Sequence, residues 1–154
     1  MSDESFIDKS RLVFPQLGRL YESFAPASYA FMRFATGAVL LPHGIQKVFF
    51  GAMANTAKSL ASRNIAFSDE FALGAAIIES VVALCLMLGF LTRPAALLIA
   101  AEMASIVFFF NWANGYFWTN RGVEFALLWM LLAIAIFFRG GGRYSLDRLI
   151  GKEI

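Results

Sequence analysis

The sequence predicts an all-α integral membrane protein, a four-helix bundle with short amphipathic helices at the N-terminus and in one loop. Three observations predict it. Four apolar runs have about the length needed to cross a hydrocarbon core of ~30 Å, which takes about 20 helical residues. Hydrophobic residues make up 59% of the chain and charged residues 16%, against about 45–50% and about 25% in ordinary soluble domains, and the mean hydropathy is +0.66. The few ionisable residues inside the runs gather on particular helix faces.

Residues 1–27 are expected to form a cytoplasmic amphipathic segment ahead of a transmembrane domain at 28–139. MSDESFIDKSRLVF begins acidic and lacks an apolar h-region, so a cleaved signal peptide is not expected. The first span is expected at 28–50, with a polar second half. Residues 51–69 read as a short interfacial segment, and the second span as 70–91. Thr92-Arg93-Pro94 makes a tight turn, since proline suits the first turn of a helix, and the third span follows at 94–110. Asn111 to Arg121, NWANGYFWTNR, is an aromatic and asparagine-rich loop of the kind found at a membrane–water interface. The fourth span is expected at 122–138. Arg139 and three glycines end it, leaving a cytoplasmic tail at 140–154.

With both termini cytoplasmic, that side carries nine basic residues (Lys9, Arg11, Arg19, Arg33, Arg93, Arg139, Arg143, Arg148, Lys152) and the other side four (Lys47, Lys58, Arg63, Arg121). Cytoplasmic loops are enriched in Lys and Arg, so this orientation is the expected one. The formal net charge of +2 and the scatter of basic residues exclude a nucleic-acid partner. One cysteine excludes an intrachain disulfide and a CxxC redox centre. With one histidine as well, no ordinary His/Cys metal site or two-His haem can form. No dinucleotide, phosphate-loop or GxSxG motif is present.

The polar residues inside the runs carry the functional signal. A carboxylate at the bilayer centre costs roughly +2.5 to +3.5 kcal/mol on insertion scales, so it faces a partner or a cavity and marks function by default. Glu79 and Glu102 lie near the middle of the second and third runs. In adjacent antiparallel helices their depths differ by only about 6 Å, and alanines surround Glu79 at helical spacing. On the first helix Arg33, Thr36, Gly37, His43, Gly44 and Lys47 fall within about 120° of arc. Gly37 and Gly44 would admit a close neighbour, and Pro42 is expected to kink the helix beside His43. Glu124, Asn114 and Arg121 join His43 and Lys47 at the outer end, so the helices would enclose one polar column. Plainer readings stand beside these. His43 is more often a structural residue than a catalyst, Arg33 could pair with Glu79 or Glu102 or snorkel to the interface, and Lys47 with Glu124 could be a simple ion pair. Trp112, Phe117, Trp118 and Trp129 could line an aromatic ligand site or belong to the interfacial belt.

Taken in order, Arg33 and Gly37, His43-Gly44 with Lys47, Glu79 before a Gly89/Arg93 turn, Asn114-Gly115 before Gly122 and Glu124, and the closing GGGRYSLD (140–147) resemble the DoxX family. The resemblance covers residues from about 30 to 147. It implies a four-helix protein of the bacterial inner membrane. Family members and relatives are linked to sulfur-compound oxidation, as a subunit of thiosulfate:quinone oxidoreductase, and to redox and oxidative-stress complexes. The family's polar positions fall on Arg33, His43, Lys47, Glu79 and Glu124, whereas Glu102 is singled out by its depth alone. Without a cysteine pair, electrons would have to move through a bound quinone or a soluble redox partner.

The leading expectation is a quinone-linked oxidoreductase or the membrane subunit of a redox complex. Glu79, His43 and Glu102 would be its catalytic residues, and Arg33, His43, Lys47, Glu124 and Trp112 would hold the quinone. The alternatives are a non-enzymatic membrane anchor or assembly factor, and a small proton-coupled transporter. The transporter would need a homodimer, because four helices make a thin transport path.

Overall fold

The computed structural model describes residues 7–153. The acidic start read from the sequence, residues 1–6, lies outside the described residues.

Helix α1 spans Gly18–Phe49 and runs unbroken through Pro26 and Pro42. It begins ten residues before the expected start at Ser28, because backbone helicity continues past the apolar stretch. A short turn at Lys9–Arg11 packs ahead of it, opened by Asp8, whose carboxylate accepts from the Ser10 amide at 3.0 Å. Lys9 pairs with Glu22 of α1 at 2.7 Å. Much of the predicted N-terminal segment is therefore part of the first helix. Helix α2, Ala52–Ala61, is the expected loop helix. It buries Ala57 and Leu60 against Ala72.

The second span is α3, Ser68–Ile77, then a wide π turn over Ile78–Val82, then α4, Ala83–Leu88. The third is α5, Thr92–Ser105, continued by a second π segment over Ile106–Asn111. No residue pattern signals these wide turns, which insert one residue into the ladder and recur at functional sites. Helix α6 spans Glu124–Arg139 and the short α7 spans Leu146–Ile150.

Among the described residues, three stretches are long and apolar enough to cross a membrane, Pro15–Phe49, Ser68–Leu88 and Thr92–Asn114. Helix α6 has 16 residues, about 24 Å at 1.5 Å per residue, shorter than a ~30 Å core. It packs along α5, while α1 packs on α4 and the Ile78–Val82 turn. The core combines Leu40, Leu86, Ile99, Met103 and Ile136 with Ala83, Ala96 and Ala133, small residues that let helix backbones approach. Large apolar side chains point outward, Phe31 at 71% exposure and Phe49 at 75%. A soluble domain would not leave so continuous an apolar exterior, so the surface is built to face lipid. The chain is an all-α, multi-pass membrane bundle.

Candidate functional site

The buried face of α1 is the polar stripe. Arg33, Thr36, Gly37, Leu40 and Gly44 are all buried. Gly44 is what lets the first and second spans touch: a Cβ there would lie 2.5 Å from the Glu79 carbonyl oxygen and from the Ser80 nitrogen. One turn further, Lys47 donates to Oε2 of Glu79 in an ion pair whose two side chains are 13% and 8% exposed. Glu79 stands in the π turn, so its backbone is displaced from an ideal helix at the contact with Gly44.

Glu102 comes from α5, which packs against the same π turn. Its Oε2 is enclosed and has no hydrogen-bond partner among the described residues. The charges of both Glu79 and Lys47 act on its carboxyl. The structure thus brings three of the expected site residues together, Lys47, Glu79 and Glu102. Lys47 and Glu79 form an ion pair, and Glu102 adds a carboxyl oxygen without a hydrogen-bond partner among the described residues.

The other expected site residues stand elsewhere. His43 is exposed on the outer side of α1, because its neighbour Gly44, 100° further round, takes the contact position against Glu79. No hydrogen bond or ion pair joins it to the cluster among the described residues. Arg33 pairs with neither glutamate. Its Nη1 donates to the carbonyls of Leu86 at 2.5 Å and Met87 at 3.0 Å, and its Nη2 to the carbonyl of Tyr144 at 2.7 Å. The last carbonyls of a helix lack partners within it, and Arg33 satisfies those ending α4. Glu124 does not meet Lys47. Its Oε2 accepts from the Trp118 amide at 3.1 Å and ties the aromatic loop to the start of α6. Trp112 is 64% exposed and stacks on Phe108 at 5.8 Å. Trp129 donates its indole N–H to the Thr36 carbonyl at 3.1 Å, which joins α6 to α1.

A second polar centre closes the end of the bundle that carries both termini. Asp147 accepts from the Leu91 amide at 2.7 Å, the Thr92 amide at 2.9 Å and the Thr92 hydroxyl at 2.6 Å. The orphan donors at the start of α5 are thereby satisfied from the C-terminal segment. Gly89 has φ +68, and a Cβ there would meet Arg33 Nη1 at 2.5 Å and Ser145 Cβ at 2.6 Å, so only glycine fits. Arg93 donates to the carbonyls of Phe137 at 2.8 Å and Phe138 at 3.1 Å near the end of α6. The Tyr29 hydroxyl donates to the Gly140 carbonyl, and the Arg139 guanidinium lies 4.3 Å from the Tyr29 ring centroid. Asp147, Thr92 and Tyr29 were not singled out from the sequence. The closing RYSLD was the available signal, but its partners lie 55 or more residues away.

The DoxX family model matches residues 28–112. The chain is also 33% identical over 135 residues to an uncharacterized protein from Haemophilus influenzae, an alignment covering 86% of this chain and 97% of that protein. The chain belongs to the DoxX family. No solved structure matches it. The matched stretch holds Lys47, Glu79 and Glu102, so the whole intramembrane cluster of this DoxX protein lies in the family's part of the chain. Glu124 and the GGGRYSLD segment lie beyond that stretch, and both do structural work in the geometry described above.

Proposed function

We propose that this DoxX protein is the membrane subunit of a quinone-linked redox system, and that Lys47, Glu79 and Glu102 form its proton-exchange site. The observation that supports this most directly is the enclosed Glu102 oxygen without a hydrogen-bond partner, beside an ion pair that is already balanced. Ionisable groups inside a membrane mark proton or substrate routes. A carboxyl without a fixed partner can gain or release a proton without first breaking a native bond.

A quinone, when bound, supplies the two-electron chemistry. Of the polar groups expected to hold it, Arg33 is engaged by carbonyls and His43 faces outward, so the fit rests on Glu102 with Lys47 beside it. Glu79 holds the Lys47 ammonium in place, and Glu102 would pass the two protons that a two-electron reduction takes up, one at a time. The electrons come from a soluble redox partner, since the chain's one cysteine, Cys85, has no second thiol to pair with. The nine-to-four basic asymmetry supports an orientation with both termini on the cytoplasmic side of a bacterial inner membrane.

Mass spectrometry of the lipid-soluble extract from purified protein tests the reading. Quinone should co-purify with the wild type. In Glu102→Gln, quinone reduction driven by the partner should fall while the protein stays folded. A second reading, a membrane anchor for a redox partner, draws on the engagement of Arg33, Arg93 and Asp147 in tying helix ends. A soluble partner that co-purifies without quinone would replace the first reading with the second.

A further inference from the structure

Beyond the intramembrane cluster, the end of the bundle with both termini carries a shallow groove lined by Leu88, Arg143, Tyr144, Ser145, Leu146 and Leu149. Leu88 is the last residue of the second span, so the groove sits at the level where hydrocarbon gives way to headgroups. Its walls are two-sided in character. Leu149 is 81% exposed and Leu88 is about half exposed, which offers apolar surface to an acyl chain. Arg143 at its edge is exposed.

The basic residues of this segment have no ion-pair partner among the described residues. No carboxylate among the described residues pairs with Arg143, Arg148 or Lys152. The acids of the same segment are engaged elsewhere: Asp147 by Leu91 and Thr92, Glu153 by the Gly141 amide and Arg93. Arg143 therefore stands beside exposed leucines with no carboxylate bound to it among the described residues. Basic residues at such a boundary attract anionic headgroups, and a guanidinium matches the geometry of phosphate oxygens.

We propose that this groove binds an anionic phospholipid, with Arg143 on the headgroup phosphate and an acyl chain along Leu88 and Leu149. The site is separate from the proton-exchange cluster and stands or falls independently of it.

The test is lipid retention by the full chain, read by native mass spectrometry after exchange into vesicles of phosphatidylcholine with an equal share of phosphatidylglycerol. The wild type should retain phosphatidylglycerol about fivefold over phosphatidylcholine, the preference expected of one basic residue at the surface. Arg143→Gln should lose most of that preference. Lys58→Gln, at the opposite end of the bundle, should keep it. Leu149→Ser should lower retention of both lipids. Equal retention of the two lipids by the wild type would overturn the proposal, as would an unchanged preference in Arg143→Gln. Displacement by soluble glycerol phosphate at the same concentration would also overturn it, because the site would then recognise a free anion and not a lipid.

Discussion

Lys47, at the last turn of the first helix, is the counter-ion of Glu79 in the wide turn of the second, and the pair is nearly sealed from the surface. Removing one partner leaves a buried charge without compensation. Breaking such a pair costs about 3–5 kcal/mol, whereas replacing both partners by uncharged groups costs much less. Lys47→Met should therefore lower the Tm markedly, and adding Glu79→Gln to it should restore part of the loss. Tryptophan-monitored thermal unfolding in detergent checks this, and a double variant as unstable as Lys47→Met would contradict the pairing.

The same contact predicts a contrast between two glycines. At Gly44 a methyl group would press on the Glu79 and Ser80 backbone, while at Gly74 it would meet nothing within 4 Å. Gly74→Ala should gain stability, by up to about 0.8–1.0 kcal/mol from helix propensity alone. Gly44→Ala should lose stability through overpacking, typically about 1–3 kcal/mol. Opposite signs of the Tm shift in the two variants are the expected result.

The legible and illegible parts of the sequence divide along the range of the interactions. The stripe from Arg33 to Lys47 follows from helical periodicity, and every buried member of it faces the bundle. Glu79 and Glu102 were legible because an acid in an apolar run has few places to go. Partner choice was not legible. Periodicity puts Arg33 on a glutamate or snorkelling to the interface, and it bonds carbonyls at the end of α4, because helix ends leave acceptors that no residue pattern displays. His43 and Gly44 are one residue apart, and a rotation of 100° decides which of them meets Glu79. The π turn that helps decide it has no composition of its own.

Asp147 holds the start of α5 from a distance of 55 residues. Hydrogen bonds to a charged group contribute about 1.5–3 kcal/mol each. Asp147→Asn keeps the shape but turns one acceptor into a donor facing other donors. It should lower the Tm and release the C-terminal segment, so limited proteolysis should remove residues after Gly142 faster than in the wild type. Equal cleavage rates would show that the segment is held without Asp147.

Glu102 separates function from architecture. Its Oε2 makes no hydrogen bond among the described residues, so Glu102→Gln breaks no native bond there and keeps the side-chain volume. Stability should be unchanged or slightly raised, because an unpaired buried acid is replaced by a neutral amide. Glu79→Gln, by contrast, strips Lys47 of its counter-ion and should lose stability. If Glu102 carries the exchanged proton, Glu102→Gln should still abolish proton-coupled turnover, since an amide cannot take up or release one. Paired measurement of Tm and quinone reduction on the two variants gives the decisive pattern: activity lost alone in Glu102→Gln, and stability lost with it in Glu79→Gln. Full turnover in a stable Glu102→Gln protein would remove this residue from the chemistry.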